Sequence, residues 1–198
     1  FKKIIRKNNV FIDVGANLGY HTLFAARMVG SKGRVFAFEP DPRNFTLLSK
    51  NIRENAYTQV TTIQKAVSNQ SGTVPLFRSP INWGDHRLIP GAEHQETVEV
   101  ETITLDDYFP LKTSSIHAIK MDIQGAEGLA LKGMTRLLER HPTLAIMMEF
   151  CPVILERYGT PPASILDLFL KNQFDLFIIF EDQRVITPLK GLPDKIIK

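Results

Sequence analysis

Short apolar runs alternate along the chain with stretches in which apolar residues recur at helical spacing. Strands are predicted at residues 10–12, 34–38, 60–67, 116–121, 144–148, 174–180 and 184–187. Helices are predicted between them at residues 21–29, 42–55, 126–140 and 165–172. This alternation favours a mainly parallel sheet of βαβ units, and strands that are apolar throughout indicate a sheet covered on both faces. We therefore predict an α/β fold with a doubly wound, Rossmann-like, seven-stranded mixed sheet and helices on both faces.

One region interrupts this alternation. Residues 73–77 and 97–103 predict an inserted pair of strands, and residues 79–96 between them are rich in Gly, Pro, His and Trp. A loop of this length inside a domain is usually functional or mobile. The last two predicted strands are so close in sequence that we expect an antiparallel hairpin at one edge of the sheet. Residues 1–198 are interpreted as a single domain.

The composition narrows the class of protein. With 198 residues, 43% hydrophobic and 23% charged, the chain is typical of one globular domain rather than of a disordered or collagen-like protein. A net charge of +3 is too small to favour nucleic acid or a membrane surface as partner. The single cysteine, Cys151, favours a reducing, cytoplasmic compartment. The sequence begins at Phe1 rather than at a methionine, which leaves room for an upstream segment that carries part of a substrate site.

The most informative stretch is the turn Asp-Val-Gly-Ala-Asn-Leu-Gly at residues 13–19, between the first strand and the first helix. Glycines there let the backbone approach a ligand, and the helix start offers free N–H groups. A dinucleotide-binding turn needs a glycine where Asn17 stands. Asp13 would repel a phosphate and attract an ammonium group. The turn therefore predicts a ligand with a cationic end and little phosphate.

A second signal is Glu39, which follows the second strand 20 residues after Gly19. A carboxylate at this place can accept hydrogen bonds from both hydroxyls of a ribose. A cationic amino-acid end joined to a ribose describes S-adenosylmethionine. The alternative is a plain tight turn followed by a solvated strand end. The two signals occur together at the right spacing, which favours the cofactor.

Several segments in the same order closely resemble the FkbM-type S-adenosylmethionine-dependent methyltransferases. They are residues 10–22 (VFIDVGANLGYHT), 35–42 (VFAFEPDP), 65–68 (KAVS), 104–107 (TLDD) and 119–127 (IKMDIQGAE), with Glu149 beyond them. The resemblance covers about residues 8–150 and implies the class I methyltransferase fold. One position departs from it, because the family usually has Glu where this chain has Gln124, which keeps hydrogen-bonding capacity and loses the charge.

The resemblance also implies a cofactor site at the carboxyl edge of the sheet, with S-adenosylmethionine bound from its methionine end to its adenine. The implied residues are, in that order, Asp13, Gly15, Ala16, Asn17, Gly19 and Thr22, then Glu39, Pro40 and Asp41, then Lys65, Ala66 and Val67. Asp122 ends the fourth strand, where the sulfonium and the methyl acceptor should meet.

Methyl transfer to a hydroxyl requires alignment of the reactants and benefits from a base. Asp122 and Glu149 end neighbouring predicted strands, so we expect their carboxylates to converge; alternatively they cap helices or hold structural hydrogen bonds. His86 and His94 lie in the long loop, and His86 would act as base if the loop folds over the cofactor. Otherwise His86 is an exposed loop residue. A divalent metal held by the carboxylate oxygens is the less favoured alternative, and no metal ligands are assigned.

We therefore expect an S-adenosylmethionine-dependent O-methyltransferase for a small hydroxylated acceptor, either a sugar or a secondary metabolite. No nucleic-acid or membrane partner is expected, and the oligomeric state stays open. N-methylation and a macromolecular acceptor are alternatives within the same enzyme class. Gln124 keeps open a cofactor-binding partner subunit without catalysis. Asn17 argues against a dehydrogenase.

Overall fold

Strands and helices alternate in this computed structural model, which describes residues 3–91, 96–110, 115–180 and 185–189. The elements in chain order are β1 (Val10–Val14), α1 (Tyr20–Val29), β2 (Arg34–Phe38), α2 (Pro42–Glu54), β3 (Val60–Ile63), β4 (Ala66–Val67), β5 (Gly72–Arg78), β6 (Glu96–Ile103), α3 (Leu105–Tyr108), β7 (Ala118–Met121), α4 (Glu127–Lys132), α5 (Thr135–Arg140), β8 (Ala145–Met148), α6 (Pro152–Arg157), α7 (Pro162–Lys171), β9 (Phe177–Phe180) and β10 (Val185–Pro188).

Within the described residues, the central sheet has five strands in the order β3-β2-β1-β7-β8, and every neighbouring pair is parallel. From β1 the chain builds outwards through β2 and β3, and it then returns to the other side of β1 for β7 and β8. The strand order therefore reverses at β1, which confirms the doubly wound α/β fold. Ligands bind at such a reversal, outside the carboxyl ends of the strands.

The prediction of one seven-stranded mixed sheet is wrong. The predicted strand at 60–67 divides into β3 in the central sheet and β4, which pairs with β6 in a separate three-stranded sheet with β5. In the described part of the chain, β9 and β10 form the expected antiparallel hairpin, but they pair only with each other and do not extend the central sheet. An apolar run identifies a strand without identifying its partner. In the hairpin, Phe177 and Ile179 keep 55% and 44% of their surface exposed.

Alternation along the strands gives the central sheet two apolar faces. Phe11 of β1 packs with Ala25 and Ala26 of α1 on one face. Its neighbour Ile12 packs on the other face, in the cluster that contains Leu131 of α4 and residues of α5, α6 and α7. The sheet is thus covered on both sides, as predicted. Across the described residues, no helix combines the length and apolar character that a membrane span needs.

The prediction of a single helix at 126–140 is also wrong, because this segment divides at Gly133 into α4 and α5. A Cβ on Gly133 would lie 2.0 Å from the carbonyl oxygen of Ser68, so a larger residue would not fit there. The Gly133 carbonyl accepts from the Asp106 N–H, and the Asp106 carboxylate accepts from the N–H groups of Arg136 and Leu137 at the start of α5. Asp106 itself lies in the short helix α3. The α6 helix was not predicted.

Candidate functional site

A cavity lies where the carboxyl ends of β1, β2 and β7 meet. Residues from the turn after β1, from β4 and from the loop after β5 complete its wall. The lining includes the predicted residues Gly15, Asn17, Glu39, Pro40, Lys65, Ala66, Val67, His86 and Asp122. The other predicted residues lie behind or beside this lining; they are Asp13, Ala16, Gly19, Thr22, Asp41 and Glu149.

The turn after β1 is packed against the end of β7, and this contact requires a glycine. Gly15 has φ +76°, and a Cβ there would lie 2.1 Å from the carbonyl oxygen of Asp122. The N–H groups of Gly15 and Ala16 donate to the carbonyl of Phe38 at the end of β2. Gly19, with φ 94°, starts α1. The turn therefore joins the ends of β1, β2 and β7 at one place.

Glu39 is the buried carboxylate of the cavity and is only 5% exposed. Its Oε2 accepts from the Asn17 N–H at 2.8 Å, and its Oε1 accepts from the Asp41 N–H at 3.0 Å. Each oxygen keeps a lone pair for a further donor. Burial raises the pKa of Glu39 to about 7, although the two N–H donors oppose this. The cavity thus contains a carboxyl group that can accept hydrogen bonds from ligand hydroxyls, and the charge of this group changes near neutral pH.

Asp13 lies beneath the turn and is fully buried. Its Oδ2 accepts from the Thr22 hydroxyl at 2.6 Å, and its Oδ1 lies 3.3 Å from Nζ of Lys120. Lys120 also donates to the Gly15 carbonyl at 2.7 Å. Asp13 therefore supports the turn from behind through Lys120 and Thr22.

Sequence reasoning missed Lys120. The available signal was a lysine within β7, whose four residues are all buried. A buried ammonium needs a buried anion and hydrogen-bond acceptors, and the adjacent β1 supplies them with Asp13.

Asp41 caps α2 and lies beside the cavity. Its side chain accepts from the N–H groups of Arg43 and Asn44, and it pairs with Arg78 at 2.5 Å. Burial opposes the charged form, yet the Arg78 guanidinium and the helix N–H groups leave the pKa of Asp41 below its usual range. Asp41 thus fixes the start of α2, from which Asn44 reaches the cavity.

Lys65, Ala66 and Val67 form the wall after β3. Ala66 and Val67 are buried, whereas the Lys65 ammonium turns to Glu101 at 2.6 Å. Leu76 of β5 adds to this wall, which is therefore largely apolar and suits a flat ring.

Residues 79–91, here termed the lid loop, close the cavity from above. Trp83, His86 and Leu88 contribute to the lining. The Trp83 carbonyl accepts from the side-chain amides of Asn17 at 3.2 Å and Asn44 at 3.0 Å. His86, for which the sequence left open either a base or an exposed loop residue, lies in this lining, and its Nδ1 accepts from the Ser79 N–H at 3.2 Å. His94 lies outside the described residues.

The acidic end of the cavity brings the two predicted carboxylates together. Nε2 of Gln124 donates to Oδ1 of Asp122 at 2.9 Å and to Oε2 of Glu149 at 3.3 Å. Partial burial and the neighbouring Asp122 charge raise the pKa of Glu149. Glu127, 1% exposed, accepts from the Ile123 N–H and stabilises this turn from behind. Within the described residues, no group of three or more His, Cys, Asp and Glu side chains is placed to hold a metal ion.

Comparison with known sequences identifies relatives that carry the same domain. Residues 13–176 match the methyltransferase FkbM domain. The chain is 31% identical to the hexuronic acid methyltransferase AglP of Haloferax volcanii, over 67% of this chain and 53% of that protein. It is 30% identical to the methyltransferase sdnD of Sordaria araneosa, over 64% of this chain and 61% of that protein. The chain thus spans between half and two thirds of these relatives' length.

Solved structures share the fold. A methyltransferase FkbM from Methylobacillus flagellatus superposes with a TM-score of 0.53 at 21% identity, over 87% of this chain and 42% of that one. A precorrin-6y C5,15-methyltransferase from Geobacter metallireducens gives a TM-score of 0.52 at 11% identity, over 94% of this chain and 78% of that one. At these identities the likeness establishes the class I methyltransferase fold alone.

Proposed function

The chain belongs to the FkbM methyltransferase family, whose methyl donor is S-adenosylmethionine, and from this premise we propose that it methylates a hydroxyl of a sugar or secondary metabolite. The observation that carries the proposal is the position of Glu39, in one cavity with the Gly15 turn and Asp122. The relative AglP acts, by its name, on a hexuronic acid, which supports a sugar as acceptor.

The chemistry of the cavity fits S-adenosylmethionine along its length. Glu39 would accept from the ribose hydroxyls, since both of its oxygens keep a lone pair. The Gly15 turn, supported by Asp13 and Lys120 from behind, would hold the methionine end. The apolar wall of Ala66 would cover the adenine. This arrangement supports the assignments made from the sequence, with Asp13 acting through its neighbours.

The sulfonium of the bound cofactor supplies an electrophilic methyl group, and the protein has to align an acceptor and take its proton. In the proposed reaction, an acceptor oxygen forms the new bond to carbon while the carbon–sulfur bond breaks, and the hydroxyl proton passes to a carboxylate. Asp122 and Glu149 are the proposed acceptors of this proton. Glu149 suits the role because a carboxylate with a raised pKa is the stronger base.

Titration calorimetry tests the cofactor first. We expect S-adenosylmethionine and S-adenosylhomocysteine to bind and NAD to give no heat of binding. Binding of NAD with no response to the other two ligands would contradict the cofactor assignment.

A methyl-transfer screen of paired acceptors, each an alcohol and its amine counterpart, tests the reaction with mass detection. We expect methylation of hydroxylated sugars or metabolites. Methylation of amines only would replace oxygen by nitrogen as the target atom. Cofactor binding without transfer to any acceptor would instead favour a partner subunit.

Asp122→Asn separates catalysis from binding. We expect this variant to keep its fold and its affinity for S-adenosylhomocysteine, and to lose turnover by on the order of 100-fold, a typical loss for a missing base. Equal turnover would remove Asp122 as the base and leave Glu149. The matched variant Asp107→Asn changes an exposed aspartate of α3, remote from the cavity lining, and should match the wild type.

A further inference from the structure

We propose that Asn44 receives a hydrogen bond from the nucleoside end of the bound cofactor and couples that contact to the lid loop. The proposal rests on the proposed function, because it takes S-adenosylmethionine as the ligand of the cavity. It assigns Asn44 two simultaneous roles, one for each end of its side-chain amide.

The first observation is an unsatisfied oxygen. Asn44 is 2% exposed, and its Oδ1 is buried without a hydrogen-bond partner among the described residues. Buried side-chain oxygens in folded proteins nearly always accept a hydrogen bond, and exceptions point to a water, an ion or a ligand. Because Asn44 is part of the cavity lining, a ligand there is well placed to supply the missing donor.

The second observation fixes which end of the amide is the oxygen. Nδ2 of Asn44 donates to the Trp83 carbonyl at 3.0 Å. With the amide turned over, two oxygens would face each other, so this contact sets the assignment. The free end of Asn44 is therefore an acceptor and calls for a ligand O–H or N–H.

The position of Asn44 selects the nucleoside end of the cofactor. Asn44 lies in the first turn of α2, three residues after the Asp41 cap, and Asp41 in turn lies two residues after Glu39, the proposed ribose ligand. The donors of a nucleoside are its ribose hydroxyls and its adenine amine. Asp122 and Gln124, by contrast, follow the end of β7, which is the proposed place of methyl transfer.

The burial of Oδ1 couples ligand binding at Asn44 to the lid loop. Oδ1 has essentially no exposed surface, so a ligand can reach it only after a neighbouring group shifts. The lid loop is such a neighbour, since its Trp83 carbonyl rests on the same amide. Cofactor binding should therefore move Trp83 while the new hydrogen bond forms.

The chain provides its own reporter for this movement, because Trp83 is the only tryptophan. Titration with S-adenosylhomocysteine should change the tryptophan emission with the same dissociation constant that calorimetry gives. Asn44→Ala should bind the ligand at least tenfold more weakly and lose most of the emission change. The isosteric Asn44→Asp keeps an acceptor and loses the Nδ2 donor. We expect Asn44→Asp to retain more affinity than Asn44→Ala, again with a reduced emission change.

Tyr158→Phe is the matched control for a loosened lid loop. It removes the hydroxyl that accepts from the Leu88 N–H at 2.9 Å and leaves Asn44 intact. We expect its affinity to stay within threefold of the wild type. Its emission change should also remain.

The outcomes separate this proposal from the proposed function. Unchanged affinity in Asn44→Ala, or equal losses in Asn44→Ala and Tyr158→Phe, would overturn the role of Asn44 and leave the cofactor assignment standing. Binding with unchanged Trp83 emission would overturn the coupling. A wild type that binds no S-adenosylhomocysteine would overturn both proposals. Binding without methyl transfer to any acceptor would affect the proposed reaction alone.

Discussion

Glu39, the proposed ribose ligand, has a pKa close to physiological pH. Burial raises its pKa to about 7, so the carboxyl group gains a proton as the pH falls below that value. Hydroxyl groups donate more strongly to a carboxylate than to a neutral acid. Cofactor binding is therefore expected to weaken as the pH falls.

The first prediction concerns binding of S-adenosylhomocysteine between pH 8 and pH 6. Wild-type affinity should fall across this range, while Glu39→Gln, which has no charge to lose, should show a flat profile. At pH 8 the variant should bind more weakly by about 1–3 kcal/mol, the loss typical of a charge-assisted hydrogen bond. Calorimetry at several pH values measures both quantities, and parallel profiles would contradict the role of Glu39.

Glu127 is a second buried carboxyl group with a raised pKa, and its protonation affects the stability of the fold. Burial raises its pKa from 4.5 to about 7, so between these values the native state holds a proton that the unfolded chain releases. The free energy of unfolding contributed by this group is fully present below pH 4.5 and is lost as the pH rises through 7. The loss is on the order of 3 kcal/mol.

The second prediction follows for Glu127→Gln, which is neutral throughout and keeps an acceptor for the Ile123 N–H. Urea unfolding between pH 5 and pH 8 should show a clearly smaller fall in stability than the wild type shows. Part of the fall should remain, because Glu39 has the same shift. Identical slopes in the two proteins would exclude Glu127 as a source.

At the scale of elements, α5 depends on a cap supplied by α3. The Asp106 carboxylate accepts from two N–H groups at the start of α5, whereas Asp107 only pairs with Arg136 at the surface. The third prediction is that Asp106→Ala lowers the free energy of unfolding by about 1–2 kcal/mol. Asp107→Ala should cost below about 0.5 kcal/mol. Chemical denaturation measures both, and equal losses would contradict the capping role.

Element types were better predicted from the sequence than element partners. The strands of the central sheet were found from apolar runs, since burial on both faces leaves a continuous signal. The assignment of residues 60–67 to one strand failed because β4 joins a different sheet, a choice made by tertiary pairing. The division of the helix at Gly133 depends on the Ser68 carbonyl, which lies 65 positions away in the chain. The residues around Gly133 therefore do not by themselves predict the break.

At the scale of the whole molecule, the site residues that could be predicted from the sequence are those that directly follow a strand at the carboxyl edge of the central sheet. Glu39 and Asp122 follow strands directly, so the sequence predicted their meeting at the cavity. Lys120 lies inside a strand and Asn44 lies in a helix. Whether such a side chain reaches the cavity depends on the direction in which it points, and the sequence does not reveal that direction. Asp13 is the first residue of the turn motif and was expected to contact the ligand. Its contacts with Lys120 and Thr22 place it behind the turn instead.

The fourth prediction concerns the stability of the whole domain. A ligand that binds only the folded chain adds about 2.7 kcal/mol at a concentration of 100 times its Kd. For a domain of this size, S-adenosylhomocysteine should then raise Tm by roughly 5–10 °C. Differential scanning fluorimetry measures the shift, with NAD as the control ligand. Equal shifts for both ligands would contradict a cavity selective for the cofactor.

The position of β1 at the centre of the sheet has a consequence for how the chain folds. Strand β2 follows β1 after the single helix α1, whereas β7, which pairs with the other side of β1, comes much later in the chain. The Val10 N–H, for example, donates to Nδ1 of His117 across a separation of 107 residues. Contacts between such distant segments form late, because a long loop must close first. The contact of Gly15 with Asp122 belongs to this last closure. We therefore expect the cavity to be among the last parts of the molecule to fold.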